Sequence, residues 1–139
     1  MFRSTLLTGL LCAVFCCLAA CAGTATSDPA HALGKTWRVS RLEADALPED
    51  AGLTLTFEAG KLSGHSGVNA FHGAATLGND GSFHAGPLAM TRMAGSPEAM
   101  QRESLMLVAI ERADGWKVSG EILSLLAGEG TVLQAVVAD

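Results

Sequence analysis

The chain has 139 residues, and its 14 aspartates and glutamates outnumber its 9 lysines and arginines, which gives a formal net charge of −5. The sequence contains no basic patch of the kind that nucleic acid or an anionic lipid surface attracts, so we exclude nucleic-acid partners. The length fits one domain of ordinary size behind a targeting segment, without an internal repeat or a second domain.

Residues 1–20 have the pattern of a bacterial lipoprotein signal peptide. A positive charge at Arg3 precedes an almost wholly apolar run over 6–18, and two alanines lie directly before Cys21. The apolar run is shorter than the roughly 20 residues that a membrane-spanning helix requires, so an uncleaved anchor is the weaker alternative. We expect the segment to be removed and Cys21 to become the lipid-modified first residue of the mature protein.

The other cysteines agree with this prediction, because all three lie in the segment that would be removed: Cys12, Cys16 and Cys17. The mature chain would then have no internal disulfide, and a thioether to lipid would consume the thiol of Cys21. Stable anchoring needs more than one acyl chain, and the lipoprotein pattern implies several, palmitate among them. Ala22 stands where an aspartate would indicate retention in the inner membrane. We therefore expect a cell-envelope protein on the outer membrane, facing the periplasm.

The composition after Cys21 is small, polar and unpatterned, with Pro29 inside it. This composition predicts a flexible tether over residues 21–33 between the lipid and one compact domain at 34–139.

Alternation of apolar and polar residues dominates the domain and predicts a mainly antiparallel sheet. The first strand, at about 35–43, would bury Trp37 and Val39, with Arg41 as a third residue on the same face. Seven further stretches are predicted as strands, and the one at 71–77 continues the pattern after the bend described below: 53–58, 61–63, 71–77, 82–88, 115–120, 122–127 and 131–137.

One helix is predicted to begin at Ser96 and to end at about Arg112. Ser96 is a good N-cap, Pro97 occupies the first helical position, where its missing N–H is harmless, and Glu98 lies near the positive end of the helix dipole. An apolar stripe on this helix must face the sheet: Ala99, Met106 and Ile110, flanked by Met100, Leu107 and Ala113. The predicted fold is a mainly β (α+β) domain, a small barrel-like antiparallel sheet of seven or eight strands with one packed helix.

The segment at 64–73, GHSGVNAFHG, interrupts the strand pattern and is called the bend below. Gly64, Gly67 and Gly73 accept backbone angles closed to other residues, and Asn69 is the next most tolerant residue. Together with TRMAG at 91–95 and the helix after it, the bend resembles the signature of the META domain family, which includes the HslJ-like envelope lipoproteins. The resemblance covers nearly all of 34–137 and implies a similar fold and an envelope location, with roles in stress or drug tolerance but no established reaction.

The family pattern carries over residue by residue, apart from its two cysteines. Its small-Gly-Cys-Asn core corresponds to Ser66, Gly67, Val68 and Asn69, and its Thr-x-Met-Ala-Cys corresponds to Thr91, Arg92, Met93, Ala94 and Gly95. The resemblance implies that the positions of Val68 and Gly95 are disulfide partners elsewhere in the family. Because both cysteines are absent, no unpaired thiol remains at these positions in an oxidising envelope. Their absence also argues against redox chemistry here.

Three groups of residues could in principle form a catalytic or metal site, but the sequence evidence for each is weak. The residues around Ser66 begin like a nucleophile elbow, but Val68 replaces the second glycine and a strand follows instead of a helix. Three histidines lack metal-ligand spacing and are better explained as surface residues: His65, His72 and His84. Four methionines are better explained as core residues than as a copper site: Met90, Met93, Met100 and Met106. We therefore predict no catalytic residue, metal or cofactor.

Glu103 lies four residues after Ala99 and three before Met106, so a helix places its carboxylate on the apolar stripe. Two interpretations stay open. In one, the carboxylate lies at the rim and reaches solvent. In the other, it accepts hydrogen bonds from backbone N–H groups or the amide of the bend, or pairs with Arg92, and so fixes the helix to the strands.

The sequence thus predicts a non-enzymatic envelope lipoprotein that binds or stabilises a partner at the membrane. The main alternative is a barrel that holds a small apolar ligand in a cavity lined by five residues and not filled by Trp37 or Trp116: Leu53, Leu55, Phe57, Leu125 and Leu133. A hydrolase is the third option and would need a polar cleft with a titratable group of shifted pKa.

Overall fold

A computed structural model describes residues 24–139, so the predicted signal peptide and Cys21 lie outside the described residues. Nine strands and one α-helix are found there: β1 Thr36–Leu42, β2 Asp45–Ala46, β3 Leu53–Glu58, β4 Lys61–Ser66, β5 Ala70–Leu77, β6 Phe83–Met90, α1 Pro97–Arg112, β7 Gly115–Ser119, β8 Ile122–Ala127 and β9 Gly130–Val137. Short 3-10 helices are present at Pro29–His31 and Glu49–Ala51. Within residues 24–139, no helix has the length and apolar character needed to cross a membrane.

The strands form one antiparallel sheet in the order β6-β5-β4-β3-β1-β9-β8-β7, with β2 added beside β1. The sheet curls into a half-barrel, which confirms the predicted fold class. Its two end strands approach each other at one place, where the Phe83 N–H donates to Asp114 O at 2.9 Å and the Trp116 N–H donates to Gly81 O at 2.9 Å. Helix α1 packs against β9, β1, β4, β6 and β8 and so covers the concave side.

The alternation of the sequence places the large apolar side chains inside the half-barrel. Trp37 and Trp116 are 0% and 1% exposed and belong to the same core cluster as the five residues that the ligand-barrel alternative expected around a cavity. The two indoles therefore occupy the interior. Their ring N–H groups donate to backbone carbonyls, that of Trp37 to Ala32 O at 3.0 Å and that of Trp116 to Gly78 O at 3.0 Å.

One side-chain orientation in β1 was predicted wrongly. The register between β1 and β9 shifts between Val39 and Arg41, so one extra residue interrupts the alternation. Such a bulge turns the residues after it to the opposite face. Arg41 is consequently exposed, and Leu42 is buried in its place.

Helix α1 begins as predicted, with the Ser96 hydroxyl accepting a hydrogen bond from the Ala99 N–H at 3.2 Å. Its buried face differs in detail from the predicted stripe. Ala99, in the first turn, is half-buried, whereas Ala109 is buried in the last turns. The helix therefore makes its deepest contact with the sheet in its C-terminal half.

The described part of the predicted tether is packed on the domain. Thr26 and Val118 pair antiparallel through two backbone hydrogen bonds of 2.7 Å each. Ala32 is fully buried and accepts the Trp37 ring N–H. These contacts use mostly backbone groups, which leave no apolar periodicity in the sequence. Residues 24–33 are thus an ordered arm, whereas flexibility was predicted for this stretch.

Candidate functional site: a buried polar cluster at the bend

The bend at 64–73 is shorter in the structure than predicted, because β4 continues to Ser66 and β5 begins at Ala70. Two buried polar residues lie here, Ser66 at the end of β4 and Asn69 in the turn. Gly67 has φ +90°, and a Cβ there would lie 2.8 Å from Ala51 O, so the turn requires glycine. Gly64 is required by close approach, because a Cβ would lie 2.0 Å from Thr54 O on the neighbouring strand. Gly73 lies further along, on β5, where Pro87 O of the neighbouring strand β6 leaves little room for a Cβ. The turn brings the Ser66 N–H to 2.8 Å from Asn69 O and buries both side chains.

Glu103 of α1 reaches this turn and is 6% exposed. The Asn69 side-chain amide donates to its two carboxylate oxygens, at 3.2 Å to Oε1 and 3.0 Å to Oε2, and the Ser66 hydroxyl contacts Oε2 in a short hydrogen bond. The carboxylate thus joins the helix to the amide of the bend. Arg92, the alternative partner, makes no salt bridge with it among the described residues.

Asn69 also holds the segment that leads from β6 to the helix. Its Oδ1 accepts from the Thr91 hydroxyl at 2.9 Å and from the Met93 N–H at 2.6 Å, while its amide donates to Met93 O at 3.1 Å. The Thr91 hydroxyl in turn accepts from the Ala70 N–H at 3.1 Å. One side chain therefore ties together the bend, the helix and the connection before the helix. We call Ser66, Asn69, Thr91 and Glu103 the polar cluster.

Every polar side chain of the polar cluster has a hydrogen-bond partner. Ser66 has one hydroxyl hydrogen, and Asn69 O lies 2.9 Å from this hydroxyl but already accepts the Ser66 N–H. The hydroxyl donates to the Glu103 carboxylate and accepts the Asn69 N–H at 3.0 Å. Within residues 24–139, no buried side-chain nitrogen or oxygen lacks a partner. A buried charge needs such partners to be tolerated.

Comparison with known proteins places the chain in a family. A family model described as META domain matches residues 30–139. The chain belongs to the META domain family. No match was found among curated proteins.

Three solved structures share the fold of this chain. An NMR structure of a protein from Burkholderia xenovorans is 26% identical, with a TM-score of 0.63 over 80% of this chain and 88% of that one. A second NMR structure is 22% identical, with a TM-score of 0.65 over 81% of this chain and 96% of that one. A crystal structure of a DUF4847 family protein from Bacteroides vulgatus is 16% identical, with a TM-score of 0.56 over 78% of this chain and 95% of that one. The last two show the fold alone.

Val68 and Gly95, the two positions at which the resemblance implies cysteines, are in contact in this META domain. A Cβ built on Gly95 would lie 2.6 Å from Cγ2 of Val68. Gly95 is not among the glycines with positive φ, so its backbone accepts other residues. The contact lies beside the polar cluster, and Val68 packs over Gly95 at the two positions where the resemblance implies cysteines.

The three histidines lie on neighbouring strands but do not converge. His65 is on β4, where its Nδ1 accepts the Gly67 N–H at 3.1 Å, while His72 and His84 are exposed on β5 and β6. Within 24–139, no group of three or more histidine, cysteine, aspartate or glutamate side chains is arranged to hold a metal ion.

Two open grooves border helix α1 in this META domain. The first, of about 520 Å³, is called the β6–α1 groove and is lined mainly by apolar side chains: His84, Ala85, Gly86, Pro87, Leu88, Met90, Leu107, Ile110 and Glu111. The second, of about 580 Å³, lies over the polar cluster, with Thr91, Arg92 and Met93 in its lining. Three large apolar side chains near these grooves or on α1 are exposed: Met93, Leu105 and Val108. Nothing in the sequence pattern indicated the β6–α1 groove, because it forms between elements distant in the chain.

Proposed function

We propose that this META domain protein is a non-enzymatic envelope lipoprotein that binds and stabilises a protein partner at the membrane. The observation that carries the proposal is that the polar cluster is buried and internally hydrogen-bonded. Ser66 is 0% exposed, and both oxygens of Glu103 accept internal hydrogen bonds. A hydrolase requires a nucleophile and a base that a substrate can reach. The cluster is better suited to holding the bend and the helix in one fixed arrangement.

The outer face of α1 supports a binding role. Leu105 and Val108 are neighbours on the helix surface and are 42% and 47% exposed. The adjacent Leu107 lines the β6–α1 groove. Neighbouring exposed apolar side chains, on a helix that also borders an apolar groove, are typical of a surface that contacts another protein. Stabilising such a partner would account for the stress or drug tolerance that the family resemblance implies.

Replacing Cys21 with serine tests the anchor. We expect the native protein to fractionate with membranes and the Cys21→Ser variant to be released or mislocalised, because serine cannot carry a thioether-linked lipid. The measurement is the distribution of each protein between membrane and soluble fractions. A Cys21→Ser variant that stays on membranes as completely as the native chain would contradict the anchor.

A photo-crosslinking residue in place of Val108 tests the binding surface. We expect it to give one discrete protein adduct in intact cells, and we expect the adduct to disappear in the Cys21→Ser background. The matched control is the same residue in place of Ile122, which is equally exposed, at 45%, but lies on β8. The same adduct from both positions, or none from Val108, would contradict α1 as the partner surface.

A further inference from the structure

The ordered arm shortens the connection between the domain and any lipid on Cys21. Thr26 is held on Val118 by two backbone hydrogen bonds, and the Ser27 hydroxyl donates to Trp116 O at 3.3 Å. A tether of 21–33 would have let the domain turn freely above the membrane. With the arm held from Thr26 onward, the free length is much smaller.

The direction of the arm fixes where that connection leaves the domain. Thr26 pairs antiparallel with Val118, so the chain runs from Thr26 back toward Thr24 alongside the end of β7 and the turn into β8. Three peptide units separate Thr24 from Cys21, which can span at most about 11 Å. The described chain therefore leaves the domain toward Cys21 beside the turn that contains Glu121.

We propose that the domain stands on the bilayer with the β7–β8 turn toward the lipid surface and the polar cluster away from it. This inference rests on the lipid anchor of the proposed function. The opposite end of the sheet carries the bend, because Ser66 pairs with Leu53 at the start of β3, whereas Glu58 at the end of β3 lies on the membrane side. The membrane is thus the partner of one end of the half-barrel, and the other end is left open to a protein.

The residues at the membrane end fit a membrane contact that is determined by the lipid anchor and not by electrostatic attraction. Ile122 is 45% exposed there, directly after the turn, and offers an apolar side chain to the interface. The charges near this end include Lys117 and Glu121 beside the turn, and Glu58 paired with Lys61 across β3 and β4. These charges have both signs, so they do not form a basic patch that would attract anionic lipid. We therefore expect the orientation to depend on the length of the connection.

Two glutamates in matched turns provide a test. Glu121 precedes β8 and Glu129 follows it, both are exposed, and the six residues of β8 between them span roughly 20 Å. Glu121→Cys and Glu129→Cys, each labelled with a donor dye in the lipidated protein, would be reconstituted in vesicles of phosphatidylethanolamine and phosphatidylglycerol that carry an acceptor on a lipid headgroup. Energy transfer then reports the distance of each turn from the bilayer.

We expect the donor at 121 to lie closer to the acceptors than the donor at 129, by up to the length of β8. Inserting about 12 glycine and serine residues between Gly23 and Thr24 should remove most of this difference without touching the domain. Equal or reversed distances in protein that floats with the vesicles would overturn the orientation while leaving the anchor intact. Failure of the native chain to float with the vesicles would overturn the anchor and the orientation together.

Discussion

Replacing Glu103 with alanine is expected to lower the free energy of unfolding by about 2 to 4 kcal/mol, because it removes the acceptor of a buried, charge-assisted cluster. The Ser66 hydroxyl and the Asn69 amide both donate to this carboxylate and would be left without it. Glu103→Gln should cost less, since it keeps one acceptor oxygen. Urea titration of both variants measures the effect.

Glu111→Ala is the matched control for this prediction. Glu111 lies on the same helix but is exposed, so its removal should change the stability by no more than about 0.5 kcal/mol. A Glu103→Ala variant that also stays within that range would return Glu103 to a solvated role. It would also mean that Glu103 does not fix the bend to helix α1.

Introducing cysteine at both positions of the family's missing pair should produce an internal disulfide. The Cβ position of residue 95 lies 2.6 Å from a γ-carbon of Val68, and residue 95 has no positive φ that a side chain would strain. Val68→Cys with Gly95→Cys would close a loop of about 27 residues, which stabilises by roughly 3 kcal/mol in the chain-entropy model, less any strain. Thermal unfolding of the oxidised protein measures the gain.

The reduced double variant separates the bond from the substitutions. It should be less stable than the oxidised form, since a side chain at 95 crowds residue 68 without the covalent bond. Each single cysteine variant provides a further control, because neither can form the bond within one chain. A folded double variant that stays reduced under oxidising conditions would contradict the alignment of these two positions with the family signature.

The fold could be predicted where one residue sets the local structure. Ser96 and Pro97 fix the start of α1, and the alternation from Leu53 to Phe57 defines β3. Arg41 was misplaced, because a bulge depends on the register with β9, which lies almost 100 residues away in sequence. The arm at Thr26 was missed for a similar reason, since its contacts use backbone groups that every residue has.

The polar cluster could be predicted only in part. Helical spacing placed Glu103 on the apolar stripe, and the tolerance of Asn69 for turns pointed to the bend. The hydroxyl of Ser66 was considered as a nucleophile and not as a partner for Glu103. The bonds from Asn69 to Met93 depend on backbone groups brought together by the fold, and the side chain of Met93 gives no sign of them.

The mass of the intact mature protein, purified from membranes, tests the central claim of an anchored META domain most directly. We predict a chain that begins at Cys21 and carries several acyl chains on that residue. The proposed membrane end of the half-barrel depends on this attachment point, whereas the partner surface on α1 is tested separately by crosslinking. Cleavage at another position, with an unmodified thiol at Cys21, would contradict the claim.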